Sequence, residues 1–286
     1  MPELPEVEIV KQSLNKIVKF KTISKVIVNN RNLRFKIPKN FEKSLKKKKI
    51  TKIFRKSKYV IFQINLEQYL IIHLGMSGTI HMSDKGNKKN TNISFYHGRD
   101  LPEKHNHLIF FFDKFKVIYN DPRRFGFVKM IKSKDELIKY FSKLGPEPLG
   151  NKFNTSYLKQ KFNKSIKNIK NSLLDQNLVS GIGNIYASEI LFRSKINPLK
   201  KVENLTLSEI RKIISKTKFV LSHAIKKGGS SIRDFKNVAG FKGNYQKEFM
   251  AYSRENYLCL NRGCESKIIK ININNRATYY CKNCQK

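Results

Sequence analysis

The chain has 286 residues, 40% hydrophobic and 11% aromatic, enough to bury two cores and too apolar for a disordered tail. Lys and Arg number 59 against 21 Asp and Glu, a net charge of +38 that favours a polyanionic partner; the Lys-rich bias of an AT-rich genome explains the bases but not the scarcity of acids. Membrane spans and leader sequences are excluded as expectations, because no apolar run nears the roughly 18 residues of a span and residues 1–8 hold three Glu and no base, which points to the cytoplasm.

Pro5 stands where a first helical turn tolerates proline, and Val7, Val10, Leu14, Ile17 and Val18 follow at three- and four-residue intervals, predicting an amphipathic leading helix. From residue 22 to 131 the period becomes two, with strand-like runs at 23–28, 50–64, 69–82, 108–112 and 115–119, the pattern of a β-sandwich or barrel. The polar segment 83–104 interrupts it as a surface loop. Two Pro and two Gly in LGPEPLG, 144–150, mark an interdomain linker. Helical periodicity then covers 155–162, 165–176, 185–195 and 207–226, with Thr155 and Ser208 as capping residues near two starts and Gly228 and Gly229 closing the last. Residues 230–243 read as a glycine-containing loop and 267–280 as a hairpin. The expected layout is α+β and multidomain: a β-domain over 1–135, a linker over 136–150, a helical domain over 151–238 and a finger over 239–286.

All four cysteines, Cys259, Cys264, Cys281 and Cys284, lie in the last 28 residues as C-x4-C and C-x2-C. Two knuckles joined by a hairpin deliver four thiolates tetrahedrally to one zinc, with an iron–sulfur cluster as the weaker rival. Four protein sulfurs leave no open coordination position, so the metal is structural and the chemistry lies elsewhere. The hairpin between the knuckles presents Asn272, Asn274, Asn275 and Arg276, groups suited to phosphate or minor-groove contact. Gly181-Ile182-Gly183-Asn184 precedes a helix, so free amides there could face an anion, although alone this pattern is more often a packing turn.

Pro2 is the most unusual chemical feature. A small second residue permits removal of the initiator Met, leaving a secondary amine able to condense with a sugar aldehyde carbon as a cationic iminium. Glu3 and Glu6 supply carboxyls for proton transfer; read in isolation, Pro2 is simply a helix-start residue. Lys58 heads an apolar strand, from which a cation can reach a groove. In Asp121-Pro122-Arg123-Arg124-Phe125-Gly126, a turn followed by Arg and Phe could be thrust into a base stack, with core packing of Phe125 the plain alternative.

Taken together these residues resemble the bacterial formamidopyrimidine-DNA glycosylase family, the 8-oxoguanine glycosylases and AP lyases of base excision repair. The resemblance spans the chain in MPELPEVE, SKY around Lys58, HLGMSG from His73, KHNH from Lys104, DPRRFG, LGPEPL, GIGNIYASE and the residues from Arg276 onward. It implies an N-terminal β-sandwich with a leading helix, a helical domain with a helix-two-turns-helix motif, a C-terminal zinc finger, and duplex DNA containing oxidised bases as partner, bound by a monomer. It further implies Pro2 as nucleophile and Glu3 as the acid protonating the sugar ring oxygen, with Lys58, Asn184 and Arg276 gripping phosphates. Met76, Arg123 and Phe125 would fill the void left by the flipped base, Arg123 facing the widowed cytosine, while His73 and His105 lie in motif segments near DNA. Two departures stand out: the family's first knuckle is often C-x2-C, and 83–104 is longer than the shortest members need. An endonuclease VIII-like enzyme for oxidised pyrimidines is the rival within the superfamily, against which Leu4 and the Arg123/Phe125 pair speak. A non-catalytic zinc-ribbon DNA-binding protein is the rival from another class, and it would need neither Pro2 nor Glu3.

Overall fold

A computed structural model describes residues 1–84, 102–230 and 243–286. The chain divides into two compact units, Met1–Ser142 with Lys227–Gln246, and Lys143–Lys226 with Lys247–Lys286.

The first unit has α1 (Leu4–Val18) and a short α2 (Phe41–Leu45); α1 starts at a capping box in which the Glu6 carboxylate accepts from the Glu3 amide at 2.9 Å. Its periodic residues Leu4, Val7, Val10, Leu14 and Val18 are buried. Two four-stranded antiparallel sheets follow. One orders β1 (Lys25–Val28), β6 (Asn106–Phe111), β7 (Phe115–Asn120) and β5 (Thr79–Asp84); the other orders β2 (Ile50–Lys56), β3 (Tyr59–Ile64), β4 (Gln68–His73) and β8 (Phe127–Ile131). Their inner faces meet as a sandwich: Phe62, Ile64 and Leu70 line the same interior space as Ile80, Val117 and Tyr119.

The apolar runs 50–64 and 69–82 each become two strands, because backbone reversals at 57–58 and 74–78 carry no break in apolar content strong enough to be read as a boundary. Strand β8, absent from the expected set, pairs with β4. Part of the expected linker is also ordered: α3 (Lys134–Phe141) is capped by Ser133 and packs Leu137, Tyr140 and Phe141 on Ile61, Tyr69, Ile71 and Ile131. Of the expected loop 83–104, residues 83 and 84 extend β5 and Glu103–His105 form a 3-10 turn; 85–101 lie outside the described residues.

The second unit contains α4 (Thr155–Phe162), α5 (Ile169–Leu174), α6 (Asn184–Ser194), α7 (Leu207–Lys226) and the hairpin β9 (Ile269–Ile273), β10 (Arg276–Tyr280). The caps sit upstream of those expected. Asn154, not Thr155, accepts from the Tyr157 amide at 3.0 Å, and Thr206, not Ser208, exchanges bonds with Glu209. Helix α5 is shorter than the expected 165–176 because Asn168 caps it at 2.8 Å to the Asn171 amide. Asn274 and Asn275, at φ of 47° and 58°, form the tight hairpin turn for which Asn is favoured. Buried Glu189 on α6 accepts from the amides of Met250, Ala251 and Tyr252 at 2.8–2.9 Å, fixing the chain as it enters the finger.

Burial lowers His81 in β5 to about 4 from an ordinary 6.5, and the Lys116 charge adds to it. The folded chain therefore keeps this ring neutral where the unfolded chain protonates it. Its contribution to stability is complete above pH 6.5 and is lost as pH falls towards about 4. A His81→Gln variant should accordingly show a shallower fall in Tm across that window than the unaltered protein; parallel slopes in calorimetry would contradict the assignment.

Candidate active site and metal centre

Strand register brings the dispersed motifs of the first unit to one end of the sandwich. Tyr59 pairs with His73 and His73 with Phe127, while Thr79 pairs with Asn120. The Ser57-Lys58 turn and the connections 74–78 and 121–126 consequently leave the sheets side by side. Ser57 adopts φ of 53°, and Lys58 is 7% exposed. Arg55 ties this turn to α1, with Nε 2.9 Å from Glu8 Oε2 and an Nη1 donating to the Ser57 carbonyl at 2.9 Å.

A cavity of about 660 Å³ opens at that end, lined by Met1, Arg34, His73, Met76, Arg123 and Phe125 among others. Met76 and Phe125 are more than 40% exposed, and the Arg123 guanidinium lies 4.5 Å from the Phe125 ring centre. Phe125 is therefore not a core residue, the plain alternative open to the sequence. Pro2 and Glu3 are buried behind Met1. Burial lowers the proton affinity of the terminal amine; Glu3 and Glu6 pull the other way, and Lys58 and Arg123 add to the lowering. One amine thus feels two carboxylates and two cations that the sequence separates by up to 120 residues.

His73 is lowered to about 4, first by burial and then by the Lys58 and Arg34 charges, with Asp121 opposing. Its ring is neutral near pH 7, and since Nδ1 accepts from the Gly75 amide at 3.1 Å, Nε2 carries the proton and can donate. His105 ends the 3-10 turn, half-buried, and its carbonyl accepts from the Asp121 amide at 3.1 Å; it does not line the cavity. Two participants, Arg34 and Ser230, belong to no motif. Arg34 sits in an irregular loop. Glu6 is legible as a carboxyl, but only the fold shows that its Oε1 accepts from Ser230 N and Oγ at 2.9 and 3.1 Å. Ser230 opens the 230–243 loop, whose base is closed by Tyr245 N donating to the Gly229 carbonyl; residues 231–242 lie outside the described residues.

In the second unit, Gly183 is the N-cap of α6 and Asn184 its first residue. The Asn184 side-chain nitrogen donates to the Ala277 carbonyl at 2.9 Å, while buried Lys170 reaches that carbonyl at 3.0 Å and Thr278 Oγ1 at 2.5 Å. One hydrogen of the Asn184 side-chain amide is thus used on the hairpin that carries Arg276. Arg276 opens β10, exposed, beside a groove of about 320 Å³ shared with Lys167, Asn171, Asp175 and Asn274.

The ligand atoms of Cys259, Cys264, Cys281 and Cys284 all lie within 4.8 Å of one another, with Sγ–Sγ separations of 3.8 Å for Cys259–Cys284 and 3.7 Å for Cys264–Cys281. Disulfides, at about 2.05 Å, are ruled out, whereas sulfurs about 2.3 Å from a common tetrahedral centre stand about 3.8 Å apart. The four-residue spacer of the first knuckle is absorbed by a turn in which Cys264 N donates to the Asn261 carbonyl and Gly263 takes φ of 74°. The cluster can hold one metal ion.

The formamidopyrimidine-DNA glycosylase N-terminal domain matches residues 1–128, and the H2TH domain of the same glycosylases matches residues 144–236. The chain belongs to the formamidopyrimidine-DNA glycosylase family. It is 41% identical over 286 residues, the full length of both chains, to the formamidopyrimidine-DNA glycosylase of Wolbachia sp. subsp. Drosophila simulans, and 38% identical to that of Roseobacter denitrificans, again over all of both chains. Among solved structures it resembles a Lactococcus lactis Fpg mutant in complex with Fapy-dG containing DNA, at TM-score 0.88, 35% identity and full coverage of both chains. It likewise resembles Lactococcus lactis Fpg in complex with abasic-site DNA, at TM-score 0.87, 35% identity and 99% coverage of each. The expected sandwich, helical domain and cysteine finger are therefore those of this family, whose members are DNA glycosylases with an associated lyase step, and DNA is the partner. No helix among the described residues is long and apolar enough to cross a membrane.

Proposed function

We propose that the chain excises oxidised purines, formamidopyrimidines and 8-oxoguanine, from duplex DNA and cleaves the resulting abasic site, using Pro2 as nucleophile and Glu3 as acid. The observation that carries the reading is the placement of the chain start: Pro2 and Glu3 are buried next to an exposed Met1 whose amine, with Glu3, Glu6, Lys58 and Arg123 acting on it, has a lowered proton affinity, at an open cavity lined by Met1, Met76, Arg123 and Phe125. A neutral amine is the nucleophilic form, so an environment that disfavours the ammonium favours attack. Once Met1 is removed, the Pro2 nitrogen bonds to C1′, the base departs with the glycosidic electron pair, and Glu3 protonates the ring oxygen as the sugar opens. The cationic iminium then acidifies the C2′ proton, and β- and δ-elimination expel the 3′ and 5′ phosphates in turn, leaving a one-nucleotide gap.

Extruding the damaged nucleoside costs a few kcal/mol. Phosphate contacts from Lys58, Asn184, Arg276 and the neutral His73 Nε2–H offset that cost, Asn184 also bracing the hairpin that carries Arg276, and Met76, Arg123 and Phe125 occupy the vacated stack. His105, whose carbonyl accepts from the Asp121 amide, lies near the DNA in this reading. The endonuclease VIII-like alternative is distinguished by a panel of duplexes containing 8-oxoguanine, an oxidised pyrimidine or an abasic site, incubated with borohydride. Preferential cleavage and trapping at 8-oxoguanine is expected; preference for the pyrimidine would replace the assignment, and no adduct at all would leave only a binding protein.

The cysteine cluster holds one structural Zn²⁺ in this proposal, since four thiolates at these separations suit its tetrahedral preference and leave no open position. Metal binding and folding of the finger are then one event. Cys281→Ser should bind less zinc by elemental analysis and lose DNA affinity, with the first unit's melting transition intact; iron, or no metal, in the purified protein would contradict the zinc. A cytoplasmic location and a monomeric state complete the reading.

A further inference from the structure

We propose that Asp121 is a positioning residue for opposite-base selectivity: its carboxylate locks the connection carrying Met76 and the connection carrying Arg123 and Phe125 into one piece, so that the three side chains enter the duplex together. The inference rests on the void-filling role proposed above for those side chains. Asp121 is fully buried, an environment that punishes a carboxylate unless its oxygens are satisfied. Here they are satisfied from both connections. Oδ1 accepts from Ser77 Oγ at 2.5 Å and from the Arg123 amide at 3.3 Å; Oδ2 accepts from the Gly126 amide at 2.8 Å and from Tyr119 Oη at 3.1 Å. Ser77 Oγ itself accepts from the Arg123 amide at 3.3 Å, so hydroxyl and carboxylate together bridge the residue after Met76 to the residue before Arg124.

The backbones leave no slack around this bridge. A Cβ on Gly75 would stand 2.4 Å from the Gly126 nitrogen and 2.5 Å from the Phe125 carbonyl carbon. One on Gly126 would stand 2.0 Å, and one on Gly78 2.8 Å, from the same Tyr119 hydroxyl that donates to Asp121. Glycine at these three positions lets the two connections touch backbone to backbone, and one buried anion holds them there. Arrangements that tie two elements through a single satisfied group have two states, engaged or not, rather than a continuum. With the bridge intact the Arg123 guanidinium is presented at a fixed place relative to Met76. Without it, Arg123 can still reach the vacated stack but no longer reads the opposite base at one defined geometry.

Asp121→Asn tests this, because the amide nitrogen cannot accept and one pair of donors must face it. Ser77→Ala is the milder second variant, removing the bridge between the connections while leaving the carboxylate. Each is compared with Arg123→Ala and the unaltered protein for single-turnover excision of 8-oxoguanine opposite cytosine and opposite adenine. The fluorescence of 2-aminopurine beside a tetrahydrofuran site reports insertion of the wedge. If the unaltered cytosine-to-adenine ratio is roughly tenfold to a hundredfold, Asp121→Asn and Ser77→Ala should each lower it at least about threefold, with a smaller fluorescence rise. Borohydride trapping on a preformed abasic site should persist, since Pro2 and Glu3 are untouched. Equal losses opposite both bases, with the ratio and the fluorescence unchanged, would reduce Asp121 to a structural residue and overturn the proposal; should Asp121→Asn fail to fold, an unchanged ratio in Ser77→Ala does the same. If Arg123→Ala alone leaves the ratio unchanged, the wedge reading falls and this inference with it, whereas a narrowed ratio in Arg123→Ala but not in the other two removes only Asp121.

Discussion

Borohydride is expected to trap the protein covalently on an 8-oxoguanine duplex through Pro2, and protein retaining Met1 or carrying an N-terminal tag is expected to give no adduct. The effect is all or none, because an iminium requires the Pro2 nitrogen to have no acyl substituent: acylated by Met1, its lone pair is delocalised into a peptide bond. Hydride delivered to C1′ converts the iminium into a stable tertiary amine, which mass spectrometry can map. Affinity for lesion DNA should largely survive the retained Met1, since Arg123, Phe125, Lys58 and Arg276 are unchanged. Lys58 is the competing amine, 7% exposed and close enough to influence the terminal ammonium. An adduct mapped to Lys58 would transfer the nucleophile to it.

Arg123→Ala should narrow the preference for cytosine over adenine opposite the lesion. When 8-oxoguanine leaves the stack, its partner cytosine presents O2 and N3 as acceptors, and a guanidinium offers planar donors that match them. Adenine presents no such pair in that position. A good base-edge contact discriminates by about 1 to 3 kcal/mol, so excision opposite cytosine should exceed that opposite adenine by roughly tenfold to a hundredfold. The stacking of Arg123 over Phe125 at 4.5 Å supports this reading, because it holds the fork beside the ring that would wedge the duplex. Such a preference has a biological logic: adenine opposite the lesion is already a replication error, and cutting there would fix the mutation. Lys58→Ala, by contrast, should weaken binding to all duplexes alike and flatten its salt dependence, as loss of a phosphate contact does. Single-turnover excision on the two duplexes is the measurement, and a ratio unmoved by Arg123→Ala would take the residue out of this role.

Much of the molecule is legible in its amino-acid order, wherever the chemistry is local. The leading helix follows from Pro5 and a three-to-four apolar repeat; α4 and α7 carry their boundaries in their own periodicity; four clustered cysteines leave few alternatives to a metal. Those signals need only neighbours in the chain. Elements held by distant partners were not legible. Residues 136–141 looked like linker because Leu137, Tyr140 and Phe141 gain their meaning only against Ile61, Ile71 and Ile131. The caps Asn154 and Thr206 were displaced from their expected places because several polar residues precede each helix and the competing bonds differ by little.

The site divides in the same way. The amino-acid order alone determined which residue types exist to do chemistry: a secondary amine behind Met1, acids at Glu3 and Glu6, a cation at Lys58, an Arg and a Phe after a turn. Tertiary structure alone decided which of them meet, since strand register is a pairing between distant segments. His73 lies opposite Tyr59 and Phe127 only because β4 pairs with both β3 and β8. It also decided what burial does to them. The same imidazole that would titrate near 6.5 in water is held near 4 at His73 by desolvation and two neighbouring cations. And it turned Asp121, in sequence the first letter of a turn, into the buried anion on which two separate connections converge.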